Sequence, residues 1–125
     1  MLALALLPAG AFATPRVDAA QGAASTLLDA RDALRRKDRG RLAALRAQAA
    51  AERNPLAMWV DYWELTNRIG EAQQPEVDAF SQRWSGTYVE DRLRNDWLLE
   101  LGRRLETAIL VQQRRKRGLM GRGRH

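Results

Sequence analysis

Residues 38–70, DRGRLAALRAQAAAERNPLAMWVDYWELTNRIG, decide the fold. Asp38 stands where a carboxylate can accept from the first free N–H groups of a helix, and Leu42, Leu45 and Ala49 then recur at helical spacing. The pattern predicts a helix ending near Glu52-Arg53. Asn54-Pro55 follows as a cap with proline at the first helical position, where no donor is lost. Leu56, Trp59, Val60 and Trp63, with Tyr62, Leu65 and Ile69, predict a third helix with a broad apolar face, closed by Gly70.

The flanks read the same way. Leu27, Leu28, Ala30 and Leu34 mark a first helix, with Thr26 and Asp29 in capping-box spacing at its start and a turn at Lys37-Asp38. Pro75 opens a fourth helix through Val77, Phe80 and Trp84, and Ser85-Gly86 breaks it. Thr87 with Glu90 makes a second capping box. Tyr88, Val89, Leu93, Trp97, Leu98 and Leu101 are then expected to face inward until Gly102. No segment alternates like a strand. Helices of about 10–16 residues joined by short turns must lie antiparallel to their neighbours. The expected fold is therefore all-α, a set of antiparallel helical hairpins that begin an α-superhelix, although no strict repeat appears in the residues.

Composition narrows the function. The chain has 125 residues and a net charge of +6, but residues 103–125 hold eight Lys or Arg against one acid. The body carries about as many acids as bases, so the high pI of 10.9 belongs to the tail and gives no general lead towards nucleic acid. There is no Cys, and the one His is His125. A thiol nucleophile, a disulfide framework, a Cys-ligated metal and a His-based triad are thereby excluded. No catalytic, cofactor-binding or metal-binding residue is assigned, and no cofactor is expected.

At the N-terminus, residues 1–13 (MLALALLPAGAFA) close on Ala11-Phe12-Ala13, the small-x-small pattern of a signal peptide cleaved before Thr14. No Lys or Arg precedes the run. At about 13 residues against the roughly 20 a span needs, it does not predict a transmembrane helix. The alternative is an apolar helix of the domain, interrupted by Pro8 and Gly10. The mature chain is expected to be exported.

Two stretches carry a resemblance: ARDALRRKDRGRLAALRAQAAAERNPLAMWVDYWEL at 30–65 and EVDAFSQRWSGTYVEDRLRNDWLLELGRR at 76–104. The basic-Asp-basic turn Lys37-Asp38-Arg39, Pro55-Leu56 with Trp59, Tyr62 and Trp63, Phe80, Gly86-Thr87-Tyr88, and Asp91-Arg92-Leu93-Arg94 running into Trp97-Leu98-Leu99 are its sub-patterns. Over residues 27–104 the chain resembles the N-terminal region of the soluble lytic murein transglycosylases. The resemblance implies the start of a U-shaped helical superhelix, with a separate lysozyme-like domain beyond it. It further implies cleavage of peptidoglycan between N-acetylmuramic acid and N-acetylglucosamine, the muramyl 6-hydroxyl closing a 1,6-anhydro ring. In the family one Glu of a Glu-Ser motif acts as acid and then base. No Glu-Ser dipeptide occurs here, so no catalytic residue carries over and the chain alone is expected to be inactive. Its implied location is the periplasm, and its implied partners are peptidoglycan, through the full-length enzyme, and the remaining superhelix and catalytic domain.

The resemblance stops after Gly102-Arg103-Arg104, leaving residues 14–104 as the hairpin region. Residues 105–125, LETAILVQQRRKRGLMGRGRH, are expected to be a basic tail, aberrant or disordered, of a truncated product, with a functional tail as the alternative. Several residues keep two readings. Trp59, Tyr62 and Trp63 are a sugar-stacking platform or core; Trp84 and Trp97 are read as core. Glu64 is the best local carboxylate for acid–base work, against an ordinary paired Glu. Asp91-Arg92 and Arg94-Asp96 read as a solvated face. Arg35, Arg36, Lys37, Arg39 and Arg41 are an anion site or a cluster complementing a helix C-terminus. Arg114, Arg115, Lys116, Arg117, Arg122 and Arg124 suit non-specific binding of nucleic acid or of an anionic membrane surface, and their lack of aromatic interleaving argues against nucleic acid. The alternative functions are an independent helical interaction module and, more distantly, a basic nucleic-acid-binding protein.

Overall fold

The computed structural model describes residues 15–123, so the leader reading at 1–13 and residues Arg124 and His125 lie outside it. Among the described residues the chain is all-α: α1 (Pro15–Arg35), α2 (Arg39–Ala51), α3 (Ala57–Asn67), α4 (Gln74–Arg83) and α5 (Tyr88–Arg122). They fall into two compact units, divided after Asn67.

In the first unit α1, α2 and α3 each pack against the other two. Its core is Ala30 and Ala33 from α1, Leu42, Leu45 and Ala49 from α2, and Val60 from α3, with Leu27, Leu34, Ala57 and Trp63 packed around it. The small side chains of α1 let the helices come close, and the leucines of α2 fill the space that remains. Asp38 caps α2 as the pattern predicts, accepting from the Arg41 N–H at 3.1 Å. Thr26 does not start α1. It lies inside the helix, fully buried, because its hydroxyl is satisfied by the Gly22 carbonyl at 3.0 Å and by Glu52 across the unit. Leu28, expected inward, is 54% exposed.

Both joints of this unit share one device. Lys37 N–H bonds the Leu34 carbonyl and Asp38 N–H the Ala33 carbonyl; Arg53 and Asn54 repeat this with Ala50 and Ala49. Each is a Schellman ending whose residue after the cap is left-handed, Lys37 at φ 54° and Arg53 at φ 51°. The Asx residue that follows then serves the next helix. Asp38 caps α2, and Asn54 Oδ1 accepts from the Leu56 N–H at 2.9 Å, so α3 begins at Ala57 and not at Pro55. It ends at Asn67, before the expected Gly70.

A left-handed Lys is strained by its Cβ, whereas glycine is not. Lys37→Gly is therefore expected to raise stability by about 0.5–1 kcal/mol, net of the greater freedom glycine gives the unfolded chain. Urea unfolding followed by circular dichroism checks the sign.

In the second unit α4 packs against α5. Val77 and Phe80 on α4, and Val89, Leu93 and Trp97 on α5, are buried. Glu76 reaches back to accept from the Gln73 N–H at 2.9 Å, closing the start of α4 one residue ahead of Pro75. Gly86, at φ +77°, makes the break before α5. The expected Thr87–Glu90 box is not formed. The Thr87 N–H and hydroxyl both bond the Trp84 carbonyl, so the Gly86 N–H is the donor left for Glu90, at 2.6 Å.

Gly102 does not end α5. A lone glycine costs a helix only about 1 kcal/mol, and both flanks are good helix formers, so the ladder runs on to Arg122. Residues 105–122 thus belong to this helix. Tyr88, Leu98 and Leu101, expected to face inward, are exposed.

Candidate functional site

The aromatic residues of α3 do not make a flat platform. Trp59 meets Tyr62 edge-on, with centroids 6.2 Å apart and planes at 89°, and meets Trp63 at the same separation with a 46° tilt. Tyr62 is buried, Trp59 and Trp63 are half-buried, and Trp63 packs on the core. Both are contacts within α3, between residues three and four apart, and they fix the rings on one another edge-on and tilted. Glu64 is buried on the same helix, and buried Asp61 is tied to Arg46 of α2 at 2.8 Å.

A depression of about 560 Å³ lies between the first turns of α1 and the α2–α3 joint. Asp18, Gly22 and Ala23 line one side, and Glu52, Arg53 and Asn54 the other. A polar net backs it. The Thr26 hydroxyl lies 2.9 and 3.0 Å from the two Glu52 oxygens, Gln48 Nε2 donates to Glu52 at 2.9 Å, and Asn54 Nδ2 donates to the Ala23 carbonyl at 3.1 Å. The hydrogen bonds from Gln48 and Thr26 outweigh burial and hold the Glu52 carboxyl below its ordinary range. The net locks α1 to the joint and keeps Glu52 ionised, which suits an acceptor and not a proton donor.

The basic cluster at the first joint is not a patch of one sign. Arg36 pairs with Asp32 at 3.3 Å and Arg41 with Asp29 at 3.7 Å, and Asp29, Asp32 and Asp38 line the same shallow depression as the two arginines. Arg35 closes α1 at its C-terminal end, where a cation complements the helix dipole. On α5, Arg94 is bound to Glu90 at 2.9 Å, an exposed cation against a buried carboxylate.

The second unit contains a clasp that reading the sequence missed. Buried Glu100 accepts from Arg103 Nη2 at 2.6 Å, Arg103 Nε at 2.9 Å and Arg104 Nε at 3.0 Å. Arg104 then donates to the carbonyls of Ile69, Gly70 and Ala72, at 3.1, 3.3 and 2.7 Å, and its guanidinium sits 4.8 Å from the Trp97 ring. Trp97 Nε1–H donates to Gln74 Oε1 at 2.8 Å. One planar cation thereby satisfies the carbonyls of the turn before α4 and fixes it to α5. The Glu100-x-x-Arg103-Arg104 spacing was the available signal, since residues three and four apart share a helix face.

Hydrogen bonds from Arg103 and Arg104 hold the Glu100 carboxyl down at about 2. A carboxyl whose pKa is lower folded than unfolded stabilises the fold above the ordinary carboxylate range, near about 4.3, and loses that contribution as pH falls towards the folded value. The melting temperature is accordingly expected to drop between pH 5 and pH 2, and Glu100→Gln to flatten that drop. Melts at a series of pH values read both.

Beyond the clasp, every residue from Leu105 to Gly123 is exposed. The bases Arg114, Arg115, Lys116, Arg117 and Arg122 are spread around the helix, because successive residues turn by about 100°. Leu98, Leu101, Leu105 and Ile109 instead share one side and are 60%, 39%, 63% and 47% exposed. Among the described residues no group of three or more His, Asp or Glu is placed to hold a metal ion, and no helix is long and apolar enough to cross a membrane. Comparison of the chain with protein families, curated proteins and solved structures gives no match.

Proposed function

We propose that this chain is a non-catalytic helical wall, of the kind that forms the N-terminal region of the periplasmic lytic murein transglycosylases, and that its role is to position peptidoglycan for a catalytic domain carried elsewhere. The observation that supports this reading is where the resembling residues fall. Lys37-Asp38-Arg39 is a helix joint, Tyr62 is buried and Trp63 packs on the core, Gly86-Thr87 is the break before α5, and Trp97 sits in the Arg104 clasp. These are the positions that build and join helical hairpins.

The carboxylates agree with a structural role. Asp61 and Glu100 are buried in bridges to arginine, and Glu52 is held ionised by donors, whereas glycan cleavage needs a carboxyl kept protonated near neutral pH. The test is to add the chain to a soluble lytic transglycosylase lacking its first helical hairpins and to assay sacculi for 1,6-anhydro-muropeptides. Release is expected to rise with the chain added and to be nil with the chain alone. Release by the chain alone, or no effect on the shortened enzyme, overturns the reading. The second reading, an independent interaction module, is favoured by the exposed leucines of α5.

A further inference from the structure

The apolar side of α5 has a register. Leu98, Leu101, Leu105 and Ala108 follow 3-4-3 spacing, and the same frame continues to Asp91 and Arg94 upstream and to Gln112 and Arg115 downstream. All eight residues are exposed. The seam lies about a quarter turn from the buried side formed by Leu93, Trp97 and Glu100, so a rod laid on it leaves α4 in place.

We infer that this seam pairs with the same seam of a second copy of the chain, antiparallel, through α5. Charge decides both the occupant and the direction. In an antiparallel pair, centred so that Leu101 of each copy meets Leu105 of the other, Leu98 meets Ala108, Arg94 meets Gln112 and Asp91 meets Arg115. The apolar layers stand in the middle, with Ile109 flanking them, and each outer end closes on an opposite-charge pair. A parallel pair would instead set Asp91, Arg94 and Arg115 each against its own copy, and repulsion at three layers disfavours it. A lipid surface suits the helix less well, because Lys116 falls on the apolar side and the other bases surround the rod without forming one polar face. The pairing is a property of this chain and does not rest on the murein reading.

Sedimentation velocity of the full chain over a range of concentrations tests it. A reversible dimer is expected. Leu105→Lys, at a site already exposed, should leave the circular dichroism unchanged and abolish the dimer. Asp91→Lys and Arg115→Asp should each weaken association at least about tenfold, because each turns the charge pairs at both ends of the dimer into repulsions, and the double variant Asp91→Lys/Arg115→Asp should recover most of it. A chain that stays monomeric at every concentration overturns the inference, as does a dimer that survives Leu105→Lys or a double variant no better than the singles. Monomers that instead bind phosphatidylserine vesicles through Arg114–Arg117 also overturn it.

Discussion

Phe80→Ala is expected to destabilise the second unit by about 3–5 kcal/mol, the usual cost of removing a fully buried aromatic side chain from a packed interior. The size follows from the shortage of alternatives. α4 offers only Val77 and Phe80 as buried residues, and it is a short helix that would not persist without tertiary support. Hydrogen exchange is the informative measurement: amides of Gln74–Arg83 should lose protection in Phe80→Ala, while those of α2 keep theirs. Equal loss in both helices would show that Phe80 is no local keystone.

Trp97→Ala is expected to cost a similar amount, about 3–5 kcal/mol, but for a composite reason that Trp97→Phe separates. The ring buries apolar area, donates through Nε1 to Gln74 Oε1, and lies under the Arg104 guanidinium. Phenylalanine keeps most of the first contribution and part of the third. It loses the hydrogen bond and leaves Gln74 without that donor, a penalty of about 1–1.5 kcal/mol. Chemical denaturation of the three proteins should rank them native, Trp97→Phe, Trp97→Ala. A phenylalanine variant as damaged as the alanine variant would mean that the hydrogen bond and cation contact, not the burial, carry the site.

What the sequence made legible was local. Asp38 and the Leu42, Leu45, Ala49 stripe were read correctly because cap and stripe lie within one helix and need no partner to be recognised. Thr26 was misplaced as a cap because the group that lets it sit inside α1, Glu52, is 26 residues away. Leu28, Tyr88, Leu98 and Leu101 were assigned inward because periodicity marks an apolar helix but not which of its sides meets a neighbour. Gly102 was overvalued as a stop, since one glycine is a modest cost in a strong helical run.

The same distinction governs the candidate sites. The core role of Tyr62 and Trp63 followed from their spacing beside Val60, and packing bears it out. The Arg104 clasp did not follow, because its acceptors are backbone carbonyls more than thirty residues away, and every sequence has carbonyls. The left-handed Lys37 and Arg53 were hidden for a related reason: neither is a residue that ordinarily announces that conformation.

The exposed stretch of α5 also has a thermal meaning. In a single copy its hydrogen bonds from Leu105 to Arg122 are supported by no interior, and Gly118 and Gly121 weaken them further, so outside a pair this length must live on the intrinsic coil-to-helix balance of its residues. On warming a dilute sample, ellipticity should fade along a sloping baseline as the free end unwinds by degrees, well before the sharp melt of the packed remainder.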